Sequence, residues 1–179
     1  MSDSMFRIET PRLIIRDFAG QDFASYCAMT ADMEVMKFLK DKPGTDKESS
    51  GYMRMAEEAR TMEPRTQWLL AVESKEGGEF VGTCMLNWGA EGKTEALLAV
   101  ILSRSNQGRG LGTEIAKALI DFSFKTLNLL GVWGSCKPDD KAGARMLEKA
   151  GMGRERTDRV EEHVMVRYLI RREGGAWPG

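Results

Sequence analysis

Three glycines alternate in Gln107-Gly108-Arg109-Gly110-Leu111-Gly112, and Thr113 follows. Without a Cβ, glycine turns the backbone through left-handed angles and lets its N–H groups come close to a ligand. A helical pattern starts immediately afterwards, with Leu111, Ile115, Ala118, Leu119 and Phe122 on one face. Its outer face carries Glu114, Lys117, Asp121 and Lys125, opposite charges three or four apart. A helix N-terminus offers unpaired N–H donors and the positive end of the peptide dipole, so the segment suits a phosphate or diphosphate. Arg109 is placed to add a charge-assisted contact. Glycine spacing alone leaves a second reading equally open, a tight strand-to-helix connection. Two other phosphate motifs fit less well. A Gly-Lys-Ser/Thr loop needs a lysine where Gly112-Thr113 stands. The dinucleotide fingerprint has different glycine spacing and an acid about 20 residues further on.

The elements around this loop follow from periodicity. Glu95 to Leu102 is apolar almost throughout, which predicts a central strand covered on both faces. Before it, Trp68 to Val72 and Phe80 to Leu86 read as two strands joined through Glu76-Gly77-Gly78-Glu79, and Glu91-Gly92-Lys93 as a turn. Earlier still, Arg12 to Arg16 has the β-branched content of a strand, and Asp22 precedes Phe23, Tyr26 and Cys27 on one face of a short helix. A second helix is expected over Asp32 to Leu39, and Lys40-Asp41-Lys42-Pro43-Gly44 breaks it. A third, capped by Asp46, would present Tyr52, Met55, Ala56 and Ala59. After the loop helix come a strand over Val132 to Cys136, a helix from Asp140 to Gly151 and a closing hairpin with Val164 to Ile170. The order predicts a single α/β (α+β) domain over residues 1–179, a mixed, mostly antiparallel sheet with helices on both faces, and a loose tail at 174–179.

Several segments together resemble one family. Gln107-x-x-Gly110-x-Gly112 resembles the (Gln/Arg)-x-x-Gly-x-(Gly/Ala) signature of the GNAT N-acetyltransferases. Glu9-Thr10-Pro11-Arg12-Leu13-Ile14-Ile15-Arg16, Asp32 to Leu39 and Leu147-Glu148-Lys149-Ala150-Gly151-Met152 resemble the branch containing the ribosomal-protein N-acetyltransferases. The resemblance spans nearly the whole chain in the right order. It implies acetyl-CoA as co-substrate, without a metal, and an amine acceptor, either a small molecule or a protein N-terminus. It also implies a sheet splayed beside Glu95–Leu102, where Val100, Ile101 and Leu102 offer backbone groups to the pantetheine arm. Gln107, Gly108, Arg109, Gly110, Leu111, Gly112 and Thr113 would then hold the diphosphate.

The chain departs from that pattern at three places. Asp140 and Gly143 stand where the branch usually has asparagine and serine, and Leu147 stands where other branches carry a tyrosine acid. Asp140 keeps the ability to cap a helix and is retained as a cofactor-flanking residue. The departures motivate an alternative, a non-catalytic acyl-CoA-binding module. An amine acceptor with a pKa of about 10 needs deprotonation at neutral pH, and Glu95 is the candidate base against a plain reading as a solvated strand end. For Cys136, Tyr168 and His163 packing or surface roles outweigh catalysis, and Met29, Met33, Met36, Met53 and Met55 read as core or groove lining.

Bulk composition agrees with such a domain. Lys plus Arg number 26 and Asp plus Glu 27, a net charge of -1, so no sequence-wide pull toward nucleic acid or an acidic membrane surface is expected. Three widely spaced cysteines and one histidine predict neither a disulfide framework nor a zinc site. The N-terminus lacks a signal-peptide pattern and no run is long enough to span a bilayer. The expectation is a cytoplasmic monomer or homodimer.

Overall fold

The computed structural model describes residues 5–39, 42–89 and 93–173. Its strands are β1 (Arg7–Glu9), β2 (Leu13–Asp17), β3 (Gln67–Ser74), β4 (Phe80–Asn87), β5 (Glu95–Leu102), β6 (Gly131–Cys136), β7 (Gly153–Val160) and β8 (His163–Arg171). Its helices are α1 (Phe23–Ala31), α2 (Met33–Met36), α3 (Asp46–Thr61), α4 (Leu111–Lys125) and α5 (Lys141–Lys149). The strands form one sheet in the order β1-β2-β3-β4-β5-β6-β8-β7. Every pairing is antiparallel except β5 with β6, which is parallel. The expected mixed, mostly antiparallel sheet with helices is therefore present.

Alternation along the strands sorts side chains onto two faces. Leu13, Ile15, Leu70, Val72, Leu86, Ala96 and Leu98 join Leu111, Ile115 and Leu119 of α4 and Leu147 of α5 in the larger core. Leu69 and Ala71 turn the other way and pack with Tyr26, Met29, Val35, Met36 and Ala56 from α1 to α3, with Ile101 and Met85 partly buried against them. The loop helix and the early helices thus cover opposite faces, and β5 contributes to both.

Local differences from the sequence expectations have local causes. The first strand starts at Leu13 rather than Arg12, because Arg12 is drawn aside to α4. The short β1 turns Ile8 toward the core between exposed Arg7 and Glu9, an alternation too brief to stand out in the sequence; it is held by pairing with β2 and by the Phe6 amide, which donates to Asp17 Oδ2 at 2.8 Å. Helix α2 covers only Met33–Met36, with Asp32 capping it through Oδ1 and the Glu34 amide at 2.9 Å. Thr45, not Asp46, caps α3 in a reciprocal arrangement with Glu48. Ser49, Ala56 and Ala59 form its buried face, and Met55 points outward at 52% exposure. Met33 is likewise exposed, whereas Met29 and Met36 are core. The expected closing hairpin is present as β7 and β8; its first arm, Gly153-Arg154-Glu155-Arg156-Thr157-Asp158-Arg159-Val160, has no bounds in the sequence pattern because it lies at the sheet edge with almost no buried position. The Glu76–Glu79 hairpin turn is present, with Gly78 at φ 70°. Lys40, Asp41, the residues 91 and 92 of the expected turn, and the expected tail at 174–179 lie outside the described residues.

Among the described residues no helix is long and apolar enough to cross a membrane, and no group of three or more His, Cys, Asp or Glu is arranged to hold a metal ion.

Candidate active site

The parallel pairing of β5 with β6 is short. Only Glu95, Ala96 and Leu97 pair, with Gly131, Val132 and Trp133, although the strands run on to Leu102 and Cys136. Gly134 marks the apex, since a Cβ there would lie 2.8 Å from Leu147 Cδ2 and 3.2 Å from the Leu98 carbonyl oxygen. Beyond it the strands separate into a wedge. That parting explains why Ala99 to Leu102, apolar in the middle of the sheet, are only half-buried. An apolar strand with one edge free of a partner leaves N–H and C=O groups ready to bond an extended ligand.

The wedge leads to the glycine loop. Ser103 is tied back to β4 by its amide, which donates to the Val81 carbonyl at 3.0 Å, and a short 3-10 turn over Arg104–Asn106 follows. Gln107 Nε2 donates to the Leu102 carbonyl at 3.1 Å, so this side chain pins the loop to the strand end and occupies a carbonyl expected to face the cofactor. Gly108 and Gly110 take φ of 73° and 76°, the left-handed conformation that disfavours every residue with a Cβ. Gly112 is different: its φ is ordinary, and a Cβ there would stand 3.1 Å from Met146 Sδ and 3.6 Å from Leu102 Cδ1. The first two glycines shape the loop; the third lets α4 pack closely on α5 and β5.

Helix α4 begins at Leu111, with Gly110 at its cap position and so no cap side chain to bond the first backbone N–H groups. By contrast, Thr45 caps α3 and Asp140 caps α5. The 15-residue α4, opening on the exposed loop of Gln107 to Gly110, therefore has its first backbone donors and positive dipole end unoccupied by a cap. Leu111 turns its side chain into the core, which leaves only its backbone for binding. Arg109 reaches Asn106 Oδ1 at 3.1 Å and remains exposed at the loop surface.

A second set of contacts ties the loop to the start of the chain. Glu114 Oε1 accepts from Thr10 Oγ1 at 2.6 Å and from the Arg12 amide at 2.9 Å, and Oε2 accepts from Arg12 Nε at 2.7 Å. Arg12 Nη1 also donates to the Arg109 carbonyl at 3.0 Å. Burial pushes the Glu114 carboxyl up, but the hydrogen bonds from Thr10 and Arg12 outweigh it and hold it below the ordinary carboxylate value. Sequence reading placed Thr10 and Arg12 in a strand motif; only the fold brings them against the loop helix, about 100 residues away.

Three residues behind the apex, in the paired stretch of β5 and β6, Glu95 Oε2 accepts from Arg167 Nη2 at 2.6 Å. The Arg167 guanidinium lies over the Trp133 ring, 4.3 Å from its centroid. Its Nε stands 2.8 Å from Glu155 Oε2 but without hydrogen-bond alignment, an electrostatic contact only. Glu95 is therefore a half-buried, ion-paired residue rather than a freely solvated strand end.

On the β6 side, Asp140 Oδ1 accepts from the Gly143 amide at 2.8 Å. Cys136 closes β6 nearby; burial, followed by the charges of Asp140 and Glu148, pushes its thiol up to about 11. Tyr168, opposite Gly134 in the register, is buried and its hydroxyl is raised by that burial, and His163 is exposed at the start of β8. Leu147 is buried against the wedge apex, where it has no proton to give.

A splayed β5/β6 pair, an uncapped helix and a left-handed glycine loop between them define an acyl-CoA-dependent transferase fold. Residues 12–153 match the family described as "Acetyltransferase (GNAT) domain". The chain belongs to the GNAT acetyltransferase family and is an acetyl-CoA-dependent acetyltransferase. It is 26% identical over 151 residues to the uncharacterized N-acetyltransferase p20 of Bacillus licheniformis, covering 84% of each chain. Its fold is similar to that of a GNAT-family acetyltransferase from Bacillus anthracis, with TM-score 0.80, 20% identity, and coverage of 93% of this chain and 98% of that one. It is also similar to spermidine N-acetyltransferase from Vibrio cholerae in complex with CoA and spermine, with TM-score 0.75, 15% identity and coverage of 90% and 96%.

Proposed function

We propose that this chain transfers an acetyl group from acetyl-CoA to a primary amine, borne by a small molecule or a protein N-terminus, by direct attack with both reactants bound. The observation that carries the reading is the uncapped N-terminus of α4 at the mouth of the β5/β6 wedge. Backbone donors from Gly108 to Thr113 fit a diphosphate, and the free edge of β5 at Val100 and Ile101 fits the amide-bearing pantetheine arm. Asp140 flanks the arm as the cap of α5.

Acetyl-CoA supplies the thioester: the amine nitrogen bonds to its carbonyl carbon, the C–S bond breaks, and the sulfur leaves as thiolate. The protein's part is to order the reactants, exclude water and move one proton. The leaving thiolate has a parent pKa of roughly 8.5, so water suffices to protonate it and the absence of an acid at Leu147 is tolerated. The incoming ammonium must lose a proton. Glu95 fits that step through Oε1, the oxygen not bonded to Arg167, directly or through one water. Arg167, stacked on Trp133, fixes the carboxylate's orientation.

The reading is tested by calorimetry with CoA and by release of free thiol from acetyl-CoA across an amine panel of polyamines, aminoglycosides, amino acids and N-terminal peptides. Saturable CoA binding with turnover on at least one amine is expected. Binding without turnover on any amine would instead support a non-catalytic acyl-CoA module, and absence of CoA binding would remove the proposal.

A further inference from the structure

We infer that Arg12 is a positioning residue for the diphosphate loop, acting through the Arg109 carbonyl and Glu114; the inference rests on the cofactor reading of that loop. One planar guanidinium meets two partners at once: Nε bonds Glu114 Oε2 at 2.7 Å and Nη1 bonds the Arg109 carbonyl at 3.0 Å. Glu114 is on the first turn of α4, and Arg109 precedes the left-handed Gly110. The two points that set the loop's shape, its last peptide and the first turn of its helix, are therefore spanned by a single rigid side chain. In a planar trans peptide the C=O and N–H point in opposite directions, so fixing the Arg109 carbonyl on Arg12 also fixes where the Gly110 N–H of the same peptide aims. Gly110 is set by its φ of 76° rather than by crowding, since a Cβ there would meet Arg12 Nη2 only at an ordinary 3.6 Å.

The anchor itself is fixed. Arg12 also donates its own amide to Glu114 Oε1 at 2.9 Å, and Thr10 Oγ1 reaches the same oxygen at 2.6 Å while its amide closes a turn on the Leu13 carbonyl at 2.9 Å. Leu13 is core. Isolated exposed ion pairs contribute little, but a carboxylate with three donors on it is a network of charge-assisted bonds with fixed geometry. Lysine in place of Arg12 would retain a charge without the fork that reaches both partners.

The experiment compares the wild-type protein with Arg12→Ala, Arg12→Lys and Glu114→Gln. It reads the Kd for CoA by calorimetry, kcat and KM for acetyl-CoA, and the thermal unfolding midpoint. Arg12→Ala is expected to weaken CoA binding roughly 10- to 100-fold, the size of one or two lost charge-assisted bonds. KM should rise in step, kcat at saturation should stay within about threefold, and unfolding should shift by only a few degrees. Arg12→Lys should recover part of the affinity, and Glu114→Gln should fall between wild type and Arg12→Ala. Should Arg12→Ala not fold, the other two variants decide the matter. CoA affinity within twofold of wild type in the folded variants overturns the inference, as does a fall in kcat and stability equal to the fall in affinity. A wild-type protein that does not bind CoA removes the cofactor reading instead, so the two failures are distinct.

Discussion

The Asp140 carboxylate occupies the space that a side chain on residue 143 would need. A Cβ added to Gly143 would lie 2.4 Å from Asp140 Oδ2, while Oδ1 accepts from the Gly143 amide at 2.8 Å. The two positions where the sequence departs from the asparagine and serine of the branch it resembles are thus in direct contact, one as the cap of α5 and the other as the residue whose amide the cap accepts from.

Gly143→Ala should therefore run against helix propensity. Alanine in place of glycine ordinarily favours a helix by up to about 1 kcal/mol. Here it displaces the cap, which costs about 1 kcal/mol or more, so no gain or a net loss is expected. A double-mutant cycle with Asp140→Asn and Gly143→Ser, read by denaturant unfolding, should be non-additive, the pair being more stable than the sum of the single changes predicts. Simple additivity would show the two residues to be independent.

The three loop glycines should not respond alike. Gly110→Ala forces a Cβ into the left-handed region at a cost of roughly 1–2 kcal/mol, so CoA affinity should fall about tenfold or more. Gly112→Ala presses only on the end of the flexible Met146 side chain and should lose less. Calorimetry on the two variants gives the order, and the reverse order would contradict the division of roles.

Acid should loosen the loop anchor. The Glu114 carboxyl is held below its ordinary value of 4.5 by Thr10 and Arg12. A carboxyl depressed in the folded state contributes stability that is complete above the unfolded pKa and is lost as pH falls through the folded one. The contribution is thus intact at neutral pH and declines below about 4.5. Unfolding of wild type and Glu114→Gln followed from pH 7 to pH 3 should converge as the pH falls; curves that stay parallel would sink the assignment.

Glu95→Gln separates proton transfer from structure. Glutamine keeps an oxygen for Arg167 Nη2, so the ion-pair site should stay folded while kcat/KM falls by about 10²-fold or more. Unchanged turnover would assign Glu95 to holding Arg167 over Trp133 and leave deprotonation to water.

The loop, strand β5 and helix α4 were legible in the sequence because each rests on a local signal: alternate glycines, a continuous apolar run and a helical stripe. The wedge was foreseen only through family resemblance. What creates it is the early end of the β5/β6 pairing at Trp133, a long-range register that no periodicity along Glu95–Leu102 encodes. The Arg12–Glu114 contact was illegible for the same reason, as was the bond from the Gln107 side chain to the Leu102 carbonyl. The closing hairpin was legible, but the bounds of its first arm, β7, were not, because an exposed edge needs no apolar alternation. The glycines at 108, 110 and 112 looked equivalent in spacing, yet only backbone angles distinguish the first two from the third.

If the uncapped start of α4 and the loop before it receive the diphosphate of CoA, their backbone N–H groups must sense its binding. Amide N–H resonances followed by NMR during a CoA titration test it most directly. The largest saturable shifts are expected at Gly108 to Thr113, with smaller ones along Val100 and Ile101. Binding of CoA that leaves the amides of Gly108 to Thr113 unmoved while others shift would contradict it.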